Sequence, residues 1–162
     1  MLAGGEEGHV VNTSSGNGGL CPLATTPIYS TTKAAVTTVS EVLSYQLQMV
    51  GARIRASVLF PGPHIVNTGI FAAARNRPAD LPMETDPSAP PPSLEDIRRM
   101  AKQAGMELPV TEPEEVAETA LAALREDRFW ILPESEETDA RLRERLEGIL
   151  ERRNPVWAPP GV

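Results

Sequence analysis

Tyr29 and Lys33 stand four residues apart in Tyr29-Ser30-Thr31-Thr32-Lys33, the spacing that puts two side chains on one face of a helix. A free phenol titrates near ~10, too high for proton exchange at neutral pH, but a neighbouring ammonium favours the phenolate. Such a pair can give a proton to a ketone oxygen or take one from an alcohol. Ser15 ends the run Asn12-Thr13-Ser14-Ser15, where its hydroxyl could donate to the oxygen that Tyr29 protonates. The plainer reading of the same residues is an exposed helical pair beside a loop serine.

These side chains need elements to hold them. Gly8 to Thr13 is β-rich and enters the glycine-heavy turn Ser14-Ser15-Gly16-Asn17-Gly18-Gly19, a strand followed by the loop at its carboxyl end. From Pro27 to Val50, the residues Val36, Val39, Leu43, Leu47 and Val50 recur three or four apart, with Gly51 as a stop, which predicts a long helix. Ala52 to Phe60 alternates apolar and polar residues and breaks at Pro61-Gly62-Pro63, predicting a second strand. Strand, helix, strand implies a right-handed crossover in a parallel sheet, and such sheets bind ligands beyond the carboxyl ends of their strands.

Half of the sixteen prolines fall between positions 61 and 92, so this stretch is expected to be irregular and to act as a substrate lid, with Phe71-Ala72-Ala73-Ala74 as one apolar helical turn. That lining favours small or medium apolar ketones. Ser93 to Ala104 predicts a helix, as does the segment opened by Thr111-Glu112-Pro113-Glu114. Arg128 to Leu132 predicts a brief strand, with Phe129 and Trp130 as core residues. Leu142, Leu146, Ile149 and Leu150 predict a last helix before a flexible tail at 154–162. The whole chain, 1–162, reads as a single α/β unit.

Asn12-Thr13-Ser14-Ser15, then Tyr29-Ser30-Thr31-Thr32-Lys33-Ala34-Ala35-Val36, then Pro61-Gly62 followed by Thr68, is an ordered set that resembles the short-chain dehydrogenase/reductase family. The resemblance covers Gly8 to Phe71, and the helix and strand from Glu114 to Leu132 are similar to that family's last such pair. It implies the second half of a Rossmann-type doubly wound parallel sheet and an NAD(P)-dependent exchange between an alcohol and a ketone or aldehyde. Ser15 would polarise the carbonyl and Tyr29 would be the general acid and base. Lys33 would lower the phenol pKa and, with Tyr29, hold the nicotinamide ribose. Pro61, Gly62, the Val66 backbone and Thr68 would meet the carboxamide end of NAD or NADP. The sequence departs from the family in two ways: five residues separate Gly62 from Thr68 where three are usual, and the Gly-rich turn that holds the pyrophosphate has no counterpart. An active site of this kind would need a nucleotide-binding half, and the alternative is a non-catalytic remnant or interaction module.

Two other motifs compete. Gly16-Asn17-Gly18-Gly19-Leu20-Cys21 nearly spells a dinucleotide fingerprint, but Cys21 replaces the third glycine and Pro22 follows. Ser30-Thr31-Thr32-Lys33 spells the Ser-x-x-Lys of penicillin-recognising enzymes, without their later motifs. The acids Glu134, Glu136, Glu137 and Asp139 fit a helix start better than a cation site.

A net charge of −7 without a basic run argues against nucleic acid and anionic membranes as partners. One cysteine and two distant histidines argue against disulfides and a metal centre. The opening residues have neither a basic region nor a long apolar core. The expectation is a cytoplasmic protein with a small-molecule alcohol or ketone substrate, able to pair with a second copy through the Tyr29–Val50 helix.

Overall fold

A computed structural model describes residues 1–78, 80–81 and 92–157. These form two compact units where the sequence reading expects one: Met1–Pro63 with Val116–Val162, and His64–Glu115.

The first unit is built on a three-stranded sheet of β1 (Gly8–Thr13), β2 (Ile54–Leu59) and β5 (Trp130–Ile131), in the order β1-β2-β5. Both pairings are parallel, with Gly8 opposite Ile54 and Val58 opposite Trp130. The crossover from β1 to β2 is α1, Pro27–Met49, which has its proline in the first turn, where no backbone N–H is required. Gly51 at φ 60° follows its end, a conformation in which glycine avoids the Cβ penalty.

As the central strand, β2 is buried at Ile54, Ala56, Ser57 and Val58. One apolar cluster joins Ile54 and Ala56 to Leu47, with Val10, Leu43 and Ala52 against it. A second joins Val58 and Phe60 to Leu20 and Cys21, with Phe129, Leu132 and Leu142 against it. Burying a side chain the size of Phe60 or Ile131, both fully enclosed, stabilises the fold by about 1.5–3 kcal/mol.

The core face of α1 differs from the apolar pattern in its sequence. Its buried residues are Ser30, Thr37, Ser40 and Leu47, whereas Val39 and Val50 are 60% and 68% exposed. Hydroxyls replace methyls there because they find partners: Ser40 Oγ donates to the Val36 carbonyl at 2.7 Å and accepts from Asn12 Nδ2 at 3.0 Å. Trp130 also departs from expectation. In a strand of two residues only one can face the core, and Ile131 takes that place. Trp130 is 46% exposed and stacks on Phe60, with Phe129 edge-on to it.

The unit is completed by the part of α3 (Pro113–Arg125) from Val116 onward, with Ala123 buried, and by α4 (Glu136–Leu150). Ser135 caps α4 by accepting from the Thr138 amide, and Glu136, Glu137 and Asp139 fill its first turn, where the helix dipole favours acids. Of the four apolar residues that predict this helix, Leu142 packs on the core while Leu146, Ile149 and Leu150 are exposed.

The second unit contains a parallel pair of two-residue strands, β3 (Ile65–Val66) and β4 (Val110–Thr111), and α2, Leu94–Gln103. Ser93 and Asp96 form a reciprocal capping box at the start of α2. Gly69–Asn76 is a 3₁₀ segment with a kink at Ala72, held by Arg75 donating to the carbonyls of Gly69 and Ala72. It covers the apolar turn expected at Phe71–Ala74. Of the 61–92 lid stretch, residues 79 and 82–91 lie outside the described residues, as does 158–162 of the tail. No helix among the described residues is long and apolar enough to cross a membrane.

Candidate active site

The carboxyl end of β1 hands the chain to two serines with opposite fates. Ser14 turns inward and is 2% exposed. Its hydroxyl donates to the Lys33 carbonyl at 2.9 Å and lies 2.8 Å from the Thr37 hydroxyl, tying the strand end to α1. Ser15 is extended, at φ −160° and ψ 146°, and half-buried; its hydroxyl makes no hydrogen bond among the described residues.

The turn that follows, Gly16–Leu20, is pressed onto the first turn of α1. The Gly19 amide donates to the Ser15 carbonyl at 3.0 Å and the Cys21 amide to the Gly16 carbonyl at 3.1 Å. Gly18 has φ +93°, and a Cβ there would lie 2.4 Å from Ser30 Cα, so backbone meets backbone in a way only glycine allows. Arg145 of α4 fixes the far side by donating to the Leu20 carbonyl at 2.6 Å. This close packing takes the near-fingerprint Gly16-Asn17-Gly18-Gly19 out of contention as an open phosphate cradle.

Tyr29 and Lys33 project from the start of α1. The Lys33 ammonium lies 5.7 Å from the centre of the Tyr29 ring and donates to the Thr13 carbonyl at 3.0 Å. It is thus held between strand end and phenol, with its other donors unengaged among the described residues. Tyr29 is 37% exposed. Ser30 is buried, and its hydroxyl accepts from the Leu23 amide at 3.1 Å and faces the Leu23 carbonyl. It anchors the loop and is not the available nucleophile of a Ser-x-x-Lys enzyme.

Of the other residues singled out in the sequence, Pro61 and Gly62 lie just past β2, after Phe60, and are half-buried in the first unit. Val66 and Thr68 belong to the second unit, where Val66 pairs with Thr111 and the Thr68 amide donates to the Val66 carbonyl at 2.8 Å. Nearby, the Asn67 side chain donates to the Glu112 carboxylate at 3.0 Å. His64 is exposed, and its amide donates to Thr111 Oγ1 at 3.3 Å. Ser15, Tyr29 and Lys33 are therefore set by the β1 end and the α1 start, and the four loop residues divide between the two units.

Sequence reasoning missed the Thr13 carbonyl, Ser14 and Thr37, which fix Lys33. A signal for one of them existed: Lys33 and Thr37 are four apart, as Tyr29 and Lys33 are. Backbone acceptors such as Thr13 leave no trace in residue type.

A short chain dehydrogenase family model matches residues 1–79. Among curated proteins no sequence matches. Among solved structures the chain is similar to a short chain dehydrogenase/reductase from Burkholderia phymatum in complex with NAD, at 31% identity and a TM-score of 0.78. The match covers 98% of this chain and 54% of that one, so the chain spans about half the length of this relative. An α/β fold with a parallel sheet, a long crossover helix that carries Tyr29 and Lys33 near its start, and these two matches agree on one conclusion: the chain is similar to the short-chain dehydrogenase/reductase family.

Proposed function

We propose that this chain carries the acid/base half of an NAD(P)-dependent oxidoreductase that interconverts an alcohol and a ketone or aldehyde. The observation that carries the reading is the fixed position of Lys33, 3.0 Å from the Thr13 carbonyl and 5.7 Å from the Tyr29 ring. The Ser15 hydroxyl, without a hydrogen bond among the described residues, stands two residues beyond that carbonyl.

The donors at this strand end suit the nicotinamide riboside end of the cofactor: an ammonium with spare N–H groups for ribose hydroxyls and a half-exposed phenol. A bound nicotinamide supplies hydride exchange with the substrate carbon. In reduction Ser15 Oγ donates a hydrogen bond to the carbonyl oxygen, and Tyr29 Oη gives that oxygen its proton. The Lys33 ammonium then faces the negative charge left on Tyr29, and oxidation reverses these roles. The closely packed Gly16–Leu20 turn leaves no cradle for a pyrophosphate, so tight cofactor binding is assigned to a nucleotide-binding half beyond these residues. Small or medium apolar ketones are the proposed substrates.

Calorimetry on the chain alone should give no saturable NADH or NADPH binding, since the riboside end contributes few contacts. Joined to a nucleotide-binding half, the chain should bind cofactor and turn over apolar ketones. A joined protein that folds and binds cofactor but reduces no carbonyl compound would refute the reading, as would micromolar binding by the chain alone.

A further inference from the structure

The chain after Ser15, Gly16-Asn17-Gly18-Gly19-Leu20, is glycine-rich, and glycine loses more backbone freedom than any other residue when it is held in one shape. Ser15 brings no side-chain tie of its own, since its hydroxyl makes no hydrogen bond among the described residues. Its place therefore follows the backbone on either side. Toward β1 that backbone is held at Ser14, whose amide donates to the Leu59 carbonyl at 2.8 Å. Toward α1 the turn bonds to itself: the Gly18 amide donates to the Cys21 carbonyl at 2.6 Å, the Gly19 amide to the Ser15 carbonyl and the Cys21 amide to the Gly16 carbonyl. Core packing of Leu20 and Cys21 settles where the turn lies. It does not settle how the peptide planes are turned.

Among the described residues one hydrogen bond joins this turn to another element, from Arg145 Nη1 of α4 to the Leu20 carbonyl at 2.6 Å. The Leu20 carbonyl and the Cys21 amide are the two ends of one planar peptide group. Arg145 thereby holds the plane whose N–H is aimed at the Gly16 carbonyl, 3.1 Å away and next to Ser15. A donor on the carbonyl also polarises the group and strengthens the bond made by its N–H. The guanidinium is a charged donor, about twice as strong as a neutral one. Leu142, three residues earlier on the same face of α4, packs against Leu20, Cys21, Val58 and Phe60 and seats the helix where Arg145 reaches the turn.

We propose that Arg145 is a positioning residue for Ser15. It fixes the Leu20–Cys21 peptide plane, the plane fixes Gly16, and Gly16 fixes where the Ser15 hydroxyl stands when it donates to a substrate carbonyl oxygen. Arg145 and the turn belong to the same compact unit. The catalytic use of this tie rests on the oxidoreductase reading, whereas the tie itself does not. Arg145 lies 125 positions from Leu20 and outside the segment 1–79 that the family model matches. A helix beyond the last strand of the described sheet thus takes part in setting one member of the site, while Tyr29 and Lys33 are set by α1 and β1. Arg145 touches neither substrate nor cofactor, so its loss is felt through Ser15 alone.

The test begins with residue-resolved amide exchange on the purified chain. Arg145→Met keeps an unbranched apolar stem and removes the donor. The Gly19 and Cys21 amides should then exchange about tenfold faster, the loss of one hydrogen bond, with amides in the body of α1 and α4 unchanged. Arg143→Met, the same charge change at an exposed position of α4, should alter none of these rates, and Arg145→Lys, which keeps a charged donor, should restore most of the protection. Unchanged exchange at Gly19 and Cys21 would overturn the proposal, as would equal acceleration throughout α4. In a protein completed with a nucleotide-binding half, Arg145→Met should lower kcat for ketone reduction about tenfold or more with cofactor Kd unchanged. In a Ser15→Ala background it should add nothing, because its effect passes through Ser15. Losses that multiply in the double variant would overturn the proposal. A completed protein that binds cofactor but reduces no ketone refutes the oxidoreductase reading instead, and exchange on the chain alone then decides whether Arg145 holds Ser15.

Discussion

Replacing Gly18 with alanine is the sharpest test of how the strand end is built. The residue sits at φ +93° and ψ −51°, a region that costs a side chain about 1–3 kcal/mol. The new Cβ would lie 2.4 Å from Ser30 Cα and 2.9 Å from the Ser30 carbonyl oxygen. Neither neighbour is a flexible tip, so the turn must lift from α1, an overpacking cost of roughly 1–3 kcal/mol. The sum, about 4 kcal/mol, is a large part of the ~5–15 kcal/mol that holds a domain together. At ~2–4 °C per kcal/mol for a chain of this size, Tm should fall by roughly 8–16 °C. Gly16→Ala is the internal control: it lies in the same turn, its φ is outside the left-handed region, and its Cβ would meet nothing within 4 Å. It should change stability by less than about 0.5 kcal/mol. Thermal unfolding followed by tryptophan fluorescence reads both, because Trp130 lies on the core of the same unit. Equal melting points for the two variants would refute the account of the turn.

Three other outcomes are expected. In a protein completed with a nucleotide-binding half, Tyr29→Phe should lower kcat by about 10²–10⁴ with cofactor affinity nearly unchanged, whereas Lys33→Ala should damage both; equal, mild losses in steady-state kinetics would contradict these roles. His9 is held below the ordinary histidine value of 6.5 by burial and then by the Arg55 charge, so the unfolded chain takes up a proton that the fold resists. Stability should therefore be full above about pH 6.5 and decline as pH falls below it, and His9→Gln should flatten that part of the denaturant-midpoint curve. Asp96 is held at about 2 by the Ser93 hydroxyl, the Ser93 amide and Arg99. Its capping contribution should be complete above about pH 4 and vanish as pH drops through 2; amide exchange at residues 94–97 in acid, against Asp96→Asn, would check the window.

The elements with local signals were readable in the sequence. Proline at the start of α1, Gly51 after it, and the Ser93 cap each satisfy a backbone requirement within a few residues. Residue type therefore reveals them. The parallel pair β3–β4 was not readable, because Ile65–Val66 and Val110–Thr111 are too short to show a period and are joined across more than forty positions. The core face of α1 misled for a different reason. Ser30, Thr37 and Ser40 are buried because strand and loop atoms meet their hydroxyls, and hydropathy cannot see a partner supplied from elsewhere. Ser15, Tyr29 and Lys33 were legible as candidates, since the chemistry resides in the side-chain types. The Thr13 carbonyl that fixes Lys33 was not.

The hydroxyl contacts between β1 and α1 also bear on how this part of the molecule opens. Two greasy surfaces can slide by a fraction of a turn and still touch. Ser14 with Thr37 and the Lys33 carbonyl, and Asn12 with Ser40 and the Val36 carbonyl, have one geometry in which every donor is matched. A small displacement forfeits these bonds together and strands polar atoms away from water. The strand end and the first half of α1 should then behave as one cooperative foldon that is closed or open with little between. Until it opens, thermal motion cannot gradually draw the carboxyl end of β1 away from the Lys33 turn of α1.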